Sequence, residues 1–312
     1  MATLAQIRVQ NESFCDMLDS DGFRKQAEAE ASDYVRLKLR EEGFSRKIIE
    51  PQDVTAGDIV PQLWTDKPVL IFSKETDIQP AVQVGYAANP IGFYIRQSKF
   101  AVTPTMIITP QVQKHKWELR SYKFDVRQVF ADNMVKDMGA REDQGLLATT
   151  NVILIGANSV VPASGVAQYK TISGGFSRSS VVEACDKVLQ ATPFNIPVET
   201  CLVNNLTWAD HRKWRRDEAG GDISEKFLTQ GWTQTDLLGK NWLITIKRGL
   251  VPTLTQYLFG PAKFLGKCCL FTPPTMVVQV EPVGMYKFFA YEEIGTTIAH
   301  AGAVGRVDTK RN

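Results

Sequence analysis

The sequence predicts an α+β protein, because one long amphipathic helical pattern stands between two regions that are rich in strand-like runs. The chain has 312 residues, of which 44% are hydrophobic and 22% charged, so it can bury a core and is not disordered by composition. Thirty-six basic and 34 acidic residues leave a net charge of +2. This near balance excludes a strong overall attraction to nucleic acid or to a membrane surface, and any such contact must be local.

An amphipathic helix followed by an extended arm is expected at the beginning of the chain. Apolar residues recur every four positions at Phe23, Ala27, Ala31, Val35 and Leu39. The pattern stops at Gly43, and prolines with short polar residues follow in residues 51–61. Such a composition suits an extended arm more than a packed core.

A long two-stranded excursion is predicted between Pro68 and Trp117. Short strand-like runs are separated there by breaker residues, with a turn expected near Asn89 to Gly92. A lone β-hairpin is only marginally stable in water, so the excursion needs another surface to lie against, and another subunit could provide it.

The strongest helical pattern runs from Asp125 to about Leu147. Its apolar stripe, the expected core of this helix, consists of Val126, Phe130, Met134 and Met138. Acid-before-base pairs four residues apart support the polar face. Gly139 weakens the helix by about 1 kcal/mol relative to alanine, yet the periodic pattern continues past it. We therefore expect a long helix that serves as a structural spine.

The second half of the chain predicts a mixture of helices and strands. Capping-box patterns predict helices that start at Ser180, Thr207 and Asp222. Strands are expected where β-branched and aromatic residues concentrate, at residues 198–203, 243–246, 276–280 and 285–291.

Signatures of catalysis are almost absent, and we predict no catalytic, cofactor-binding or metal-binding residue. The segment Gly260 to Lys267 is similar to a phosphate-binding loop, but five residues separate its glycines instead of four, and Cys268 replaces the Ser or Thr. The five cysteines lack paired zinc spacings and no secretory pattern is visible, so buried thiols in the cytosol are expected. No apolar run approaches the roughly 18 residues that a membrane span requires.

Basic and aromatic residues alternate from Trp208 to Arg216, a combination that occurs in proteins that bind single-stranded nucleic acid. A solvated helix face with the tryptophans packed behind it explains the same pattern, and we favour this interpretation.

The order of these elements resembles the major capsid proteins of tailed bacteriophages, which have the Johnson-type fold shared with encapsulins. The resemblance rests on residues 40–49 before a proline, on the β excursion, and on residues 122–126 leading into a spine helix that contains Glu142-Asp143. It also rests on residues 286–295 as the last strand and on residues 257–266 before it. The order carries the resemblance over most of the chain, since no single motif is diagnostic.

The resemblance implies four regions and two sets of contacts. The regions are an N-terminal arm in residues 1–65, an extended β-hairpin called the E-loop in 66–122, a peripheral domain in 123–160 and 267–312, and a mixed α/β axial domain in 161–266. The implied inter-subunit contacts are Phe44, Arg46 and Lys47 in the arm, and Asn89, Pro90 and Gly92 at the tip of the E-loop.

The function that the resemblance implies is self-assembly into an icosahedral head shell of hexamers and pentamers around double-stranded DNA. The expected partners are other copies of the chain, a separate scaffolding protein, a portal, optional decoration proteins, and packaged DNA held by non-specific contacts. The expected location is the virion, after assembly in the cytoplasm of a bacterial host and without membrane association.

Three alternatives stay open on the sequence alone. An encapsulin-like nanocompartment would use the same fold to enclose cargo proteins instead of a genome. An enzyme whose pocket is assembled from distant residues would leave no local motif. A nucleic-acid-binding protein would depend on the segment from Trp208 to Arg216.

Overall fold

The computed structural model describes most of the chain from residue 43 onwards. The described ranges are residues 43–62, 65–74, 83, 92, 98–121, 126–159, 168–189, 195–211, 235–247, 249–281 and 284–310. The segment predicted as an amphipathic helix at residues 23–39, the turn residues Asn89 and Pro90, and the helix predicted from Asp222 lie outside these ranges. Gly92 is described as a single exposed position.

Strands form most of the regular structure in the described ranges. They are β1 (Pro51–Asp53), β2 (Val60–Gln62), β3 (Thr65–Lys74), β4 (Ser98–Val102), β5 (Thr105–Ile108), β6 (Val112–His115), β7 (Tyr169–Ser173), β8 (Thr200–Asn204), β9 (Thr235–Leu237), β10 (Lys240–Thr245), β11 (Thr255–Phe259), β12 (Gly266–Val280), β13 (Met285–Ile298) and β14 (Val304–Lys310).

The helices include two that are named here because they position the site. The arm helix is Ser45–Ile48, and the spine helix is Val126–Ser159. The others are Lys116–Ser121, Arg178–Glu183 continued by a π-helical turn at Ala184–Val188, Asn205–His211 and Ala262–Leu265, with 3-10 turns at Ala56–Asp58 and Ala301–Ala303.

A five-stranded sheet packs against the spine helix. Its order is β1-β12-β13-β5, and β6 also pairs with β13. Alternate residues of β13 from Tyr286 to Ile294 are buried. Among them, Phe288 contacts Phe130 of the spine helix, with 5.0 Å between the ring centroids. The two-residue period of the strand therefore gives the sheet one face toward the helix.

A six-stranded sheet has the order β7-β14-β11-β8-β10-β9. Every residue of β8 and β11 is buried, as expected for central strands that are covered on both faces. The last strand, β14, pairs in parallel with β7 and antiparallel with β11. It therefore belongs to this sheet, whereas the predicted domain boundaries grouped residues 304–310 with the five-stranded sheet.

The beginning of the spine helix agrees with the sequence prediction to within one residue. Val126 is its first residue, Phe130 is partly buried, and Met134 and Met138 are buried. Apolar residues at this spacing occupy one face of the helix, and that face is turned toward the interior.

The spine helix ends later than predicted, at Ser159 instead of near Leu147. Its second part keeps a buried face that includes Thr150 and Leu154. The Thr150 hydroxyl donates a hydrogen bond of 2.9 Å to the Leu146 carbonyl one turn earlier, so this buried polar group is satisfied within the helix.

One hydrophobic core joins the arm helix, the spine helix and both larger sheets. Its buried members include Phe44 and Ile48 from the arm, Leu147 from the spine helix, Tyr257 from β11 and Ile294 from β13. The faces of the two larger sheets that meet here therefore share one core.

A second core lies on the other face of the six-stranded sheet, because neighbouring residues of a strand point to opposite sides. Trp208 and Trp242 are fully buried there, with 5.3 Å between their ring centroids, and Phe176 packs beside them. The packing interpretation of Trp208 is confirmed. Trp214 and the neighbouring arginines lie outside the described residues.

The stem of the predicted excursion is a pair of antiparallel strands. β3 pairs with β4 from Leu70 opposite Val102 to Lys74 opposite Ser98, and β2 adds a third strand. Leu70 and Val102 pack against Cys269 of β12 in a small core of their own. The predicted strand pair is present but belongs to a three-stranded sheet, and residues 105–115 of the predicted excursion instead form β5 and β6, which pair with β13.

Two helix starts differ from the predicted positions. The helix expected at Ser180 begins at Arg178, because Ser177 is the capping residue and exchanges hydrogen bonds with Ser180. The helix expected at Thr207 begins at Asn205, and the side chain of Asn204 accepts a hydrogen bond of 2.7 Å from the Thr207 N–H.

Within the described ranges, none of the helices combines the length and the apolar character that crossing a membrane requires.

Replacing Met134 by aspartate should prevent stable folding, because Met134 is buried in the spine helix and an unpaired carboxylate there would lose its hydration. We expect a loss of more than about 3 kcal/mol in the free energy of unfolding. Asn133→Asp is the matched control, since Asn133 is exposed in the same turn. Urea unfolding followed by circular dichroism measures both variants. Equal stabilities would show that the predicted stripe does not face the core.

Candidate functional site

Arg46 is buried where the arm helix, the spine helix and β13 meet. Its Nε and Nη2 atoms donate hydrogen bonds of 2.8 and 3.1 Å to the two carboxylate oxygens of Glu142. Nη2 also donates to Oε2 of Glu292 at 2.9 Å. The side chains of Glu142 and Glu292 are 4% and 0% exposed, so these bonds form out of contact with water. We call these three residues the Arg46 cluster.

A proton on Glu292 balances the charges of the Arg46 cluster. The pKa of Glu292 is raised to about 9. Burial is the largest cause and the charge of Glu142 adds to it, while Arg46 opposes both. Burial is the largest influence on Arg46 and works against its charged form, but the hydrogen bond to Glu142 and the charges of Glu142 and Glu292 together outweigh it and raise the pKa of the guanidinium. At neutral pH the raised pKa therefore favours the neutral form of Glu292 beside the Arg46 guanidinium.

The residue after Glu142 holds the arm helix through its backbone. Asp143 accepts hydrogen bonds from the Ser45 N–H at 2.9 Å and from Lys247 Nζ at 2.6 Å. Burial raises the pKa of Asp143, and the bonds to Lys247 and Ser45 partly oppose this shift. The Lys247 ammonium also lies 5.8 Å from the centre of the Phe44 ring, within range of a cation–π contact. Two adjacent acidic residues thus fix the short arm helix.

The positions of Phe44 and Arg46 differ from their predicted role as inter-subunit contacts. Both side chains are buried within their own chain, Phe44 in the shared core and Arg46 in its cluster. Lys47 is exposed, as the predicted contact requires. The sequence did not identify Glu142 and Glu292 as partners, because they are 96 and 246 residues away from Arg46 along the chain.

The stem of the excursion rests on the five-stranded sheet through backbone atoms. A Cβ atom added to Gly295 would lie 2.8 Å from the carbonyl oxygen of Thr103 and 2.8 Å from Cγ1 of Val102. This approach requires glycine, which has no side chain. Lys74 Nζ adds a hydrogen bond of 2.9 Å to the Ala299 carbonyl. The base of the excursion is therefore fixed on the body of the chain.

Two apolar side chains are exposed on strand β5. Met106 is 52% exposed and Ile108 is 54% exposed. They lie opposite Glu293 and Tyr291 of β13, on the sheet face away from the spine helix. No element of the described ranges pairs with the outer edge of β5. An exposed apolar pair on an edge strand is a candidate contact surface for another chain.

No group of three or more His, Cys, Asp or Glu side chains is placed to hold a metal ion in the part of the chain that the structure describes. The four described cysteines, Cys185, Cys201, Cys268 and Cys269, are free and buried, which confirms the prediction of buried thiols at these positions.

Solved structures of two capsids and of a virus-like particle have a similar fold over most of the chain. The bacteriophage PhiM1 mature capsid matches with a TM-score of 0.55 and 8% identity, over 86% of this chain and 87% of that chain. The capsid of a native GTA particle matches with a TM-score of 0.55 and 15% identity, over 88% and 90%. A virus-like particle from Pyrococcus furiosus matches with a TM-score of 0.52 and 11% identity, over 89% and 98%.

No protein-family model matches the chain, and no curated protein matches it. At identities this low, the similarity establishes the fold alone. The chain has the Johnson-type fold, and the fold prediction made from the order of elements is confirmed.

Replacing Arg46 by methionine should lower the free energy of unfolding by about 3–5 kcal/mol, because Glu142 would keep a buried charge without its partner. Lys47→Met is the matched control, since Lys47 is the exposed neighbour in the same helix, and it should change stability by less than about 0.5 kcal/mol. Chemical unfolding of the two variants measures the difference. An Arg46→Met protein as stable as the control would contradict the assigned role of the cluster.

Replacing Glu292 by glutamine should remove a pH dependence of stability. The pKa of Glu292 is raised from 4.5 to about 9 in the folded chain, so unfolding releases its proton between these values. Its stabilising contribution is complete below pH 4.5, falls as the pH rises, and is lost above about pH 9. Relative to the wild type, Glu292→Gln should therefore gain stability steadily from pH 5 to pH 9.

The control for this pH series is Glu293→Gln, because Glu293 adjoins Glu292 on β13 but lies on the opposite face. Melting temperatures at closely spaced pH values give the slopes. Parallel slopes for wild type, Glu292→Gln and Glu293→Gln would show that Glu292 does not hold the proton.

Proposed function

We propose that this chain is the major capsid protein of a tailed bacteriophage. In this role many copies assemble as hexamers and pentamers into the icosahedral head shell that encloses a double-stranded DNA genome. The observation that carries the proposal is the fold similarity to the PhiM1 mature capsid and to the capsid of the GTA particle, which extends over at least 86% of every chain compared.

The surface of the described chain supports an assembling role. Met106 and Ile108 are exposed apolar side chains on the edge strand β5. The stem of the excursion rests on the same five-stranded sheet at Gly295. The stem buries Leu70 and Val102 against β12 but leaves Ile71 exposed, so contacts between copies would stabilise it further. Lys47 is exposed beside the buried Arg46 and can meet a neighbouring copy without disturbing the Arg46 cluster.

The four predicted regions receive roles within this proposal. Residues 1–65 form the N-terminal arm, residues 66–122 the E-loop, residues 123–160 and 267–312 the peripheral domain, and residues 161–266 the axial domain. The part of the E-loop beyond its stem lies over neighbouring copies, with Asn89, Pro90 and Gly92 at the tip of the loop. Three strands depart from these regions: β14 belongs to the six-stranded sheet, and β5 and β6 pair with β13 of the five-stranded sheet.

The proposed partners follow from the same role. Besides other copies of the chain, they are a separate scaffolding protein, a portal and optional decoration proteins. Packaged DNA would touch the shell through non-specific local contacts, which is compatible with the small net charge of +2. Assembly would take place in the cytoplasm of the bacterial host, and the finished protein would reside in the virion.

An encapsulin-like nanocompartment is the second candidate, because the virus-like particle from Pyrococcus furiosus has a similar fold over 98% of its chain. The two candidates differ in content. A phage head contains DNA, whereas a nanocompartment contains protein. We favour the phage shell because the matches include two capsids at a higher TM-score of 0.55.

The proposal predicts closed polyhedral shells when the full chain is expressed, alone or with the proposed scaffolding protein. Deletion of Asn89 to Gly92 and the charge reversal Lys47→Glu should each leave the subunit folded and reduce shells at least tenfold. Negative-stain electron microscopy counts the shells, and circular dichroism verifies the fold. A replacement of residues 89–92 by four Gly and Ser residues separates the effect of loop sequence from that of loop length.

A monodisperse monomer under all these conditions would overturn both shell functions. Shells with unchanged yield from both variants would leave the capsid function intact and overturn the assigned contacts. Shells purified from infected cells or culture supernatant should contain nuclease-protected DNA, and shells that contain only protein cargo would favour the nanocompartment.

A further inference from the structure

Two buried cysteines face each other in the second core. The Cys185 sulfur lies 3.7 Å from the Cys201 sulfur. Cys185 is 2% exposed in the π-helical turn, and Cys201 is 0% exposed in the central strand β8. The two thiols thus connect the helical layer of residues 178–188 with the middle of the six-stranded sheet.

The distance suits a covalent bond with little rearrangement. A disulfide requires sulfur atoms about 2.05 Å apart, so the two sulfurs need to approach by roughly 1.7 Å. Small rotations about the Cα–Cβ bonds of Cys185 and Cys201 can supply a movement of this size. The other described cysteines are arranged differently. Cys268 faces the shared core, and the adjacent Cys269 packs with Leu70 on the opposite side of β12.

We propose that Cys185 and Cys201 are a latent disulfide pair, which a small peroxide oxidant converts into a covalent link between the helical layer and β8. This proposal does not depend on the capsid function. A peroxide is the appropriate class of oxidant because both thiols are buried and a small molecule can reach them where a bulky disulfide reagent cannot.

The reaction balances in two steps. The Cys185 sulfur, as thiolate, attacks one oxygen of hydrogen peroxide, the O–O bond breaks, and the released hydroxide takes a proton to become water. The resulting sulfenic acid is then attacked by the Cys201 sulfur, an S–S bond forms, and the S–O bond breaks with release of a second water. In sum, two thiols are oxidised and one peroxide is reduced to two waters.

The environment makes this reaction slow in the folded chain. Burial raises the pKa of the Cys201 thiol well above its ordinary value, and the neighbouring Cys185 raises it further. The thiolate is the reactive form, so the raised pKa of Cys201 slows its attack in the second step, and the link forms only during prolonged exposure to an oxidant. The pair is therefore expected to be reduced at synthesis and oxidised afterwards.

The experiment treats the full-length protein with hydrogen peroxide and maps disulfides after blocking free thiols and digesting with trypsin. Cleavage after Arg178, Lys187 and Arg212 places the two cysteines on separate peptides, residues 179–187 and 188–212. We expect these two peptides to be joined, with a mass two hydrogens below their sum. A second sample is oxidised in a urea concentration near the unfolding midpoint and then refolded, so that access of the oxidant does not limit the result.

Oxidised wild type should melt higher than reduced wild type by roughly 5 °C, because the link closes a loop in the unfolded chain. Cys201→Ala should lose this shift. Cys269→Ala is the matched control, since its thiol is equally buried, and it should keep the shift. Separate peptides in both samples, or thiol loss only as sulfinic and sulfonic acid, would overturn the proposal. A joined peptide pair with an unchanged melting temperature would refute the stabilising role of the link.

Discussion

The buried guanidinium of Arg46 connects three segments of this chain that lie far apart in sequence. Arg46 reaches the spine helix through Glu142 and the five-stranded sheet through Glu292, and both partners are shielded from water. A buried ion pair adds little net stability, but a missing partner leaves an expensive uncompensated charge. The arm helix, the spine helix and β13 are therefore held in an arrangement that pairs Arg46 with both carboxylates, and the raised pKa of Glu292 favours its neutral form there.

The shared hydrophobic core holds the same short arm helix as the Arg46 cluster. Phe44, just before the arm helix, and Ile48, its last residue, pack into the core that both larger sheets share. Because the Arg46 cluster and this core hold the same short helix, the arm cannot leave without exposing apolar surface and a buried charge together. The described body of the chain thus behaves as one unit, although the resemblance implies separate peripheral and axial domains.

Local patterns in the sequence predicted the elements better than their connections. The start of the spine helix and the buried Met134 and Met138 follow from a four-residue apolar spacing that needs no distant information. Its end was missed because Thr150 continues the buried face with a polar side chain that is satisfied within the helix. The partners of Arg46 were missed because an ion pair across 246 residues leaves no periodic trace; the adjacent acids Glu142-Asp143 in a helical pattern were the one available signal.

The glycine at position 295 has a consequence for the direction of the excursion. Side-chain contacts can adjust by changing rotamers, but the approach of Gly295 to the Thr103 carbonyl is made by main-chain atoms whose positions follow from the sheet itself. The angle between the excursion and the spine helix is therefore a property of backbone geometry. In the proposed shell, every copy would therefore direct its excursion at the same angle from its body, whatever side chains cover its surface.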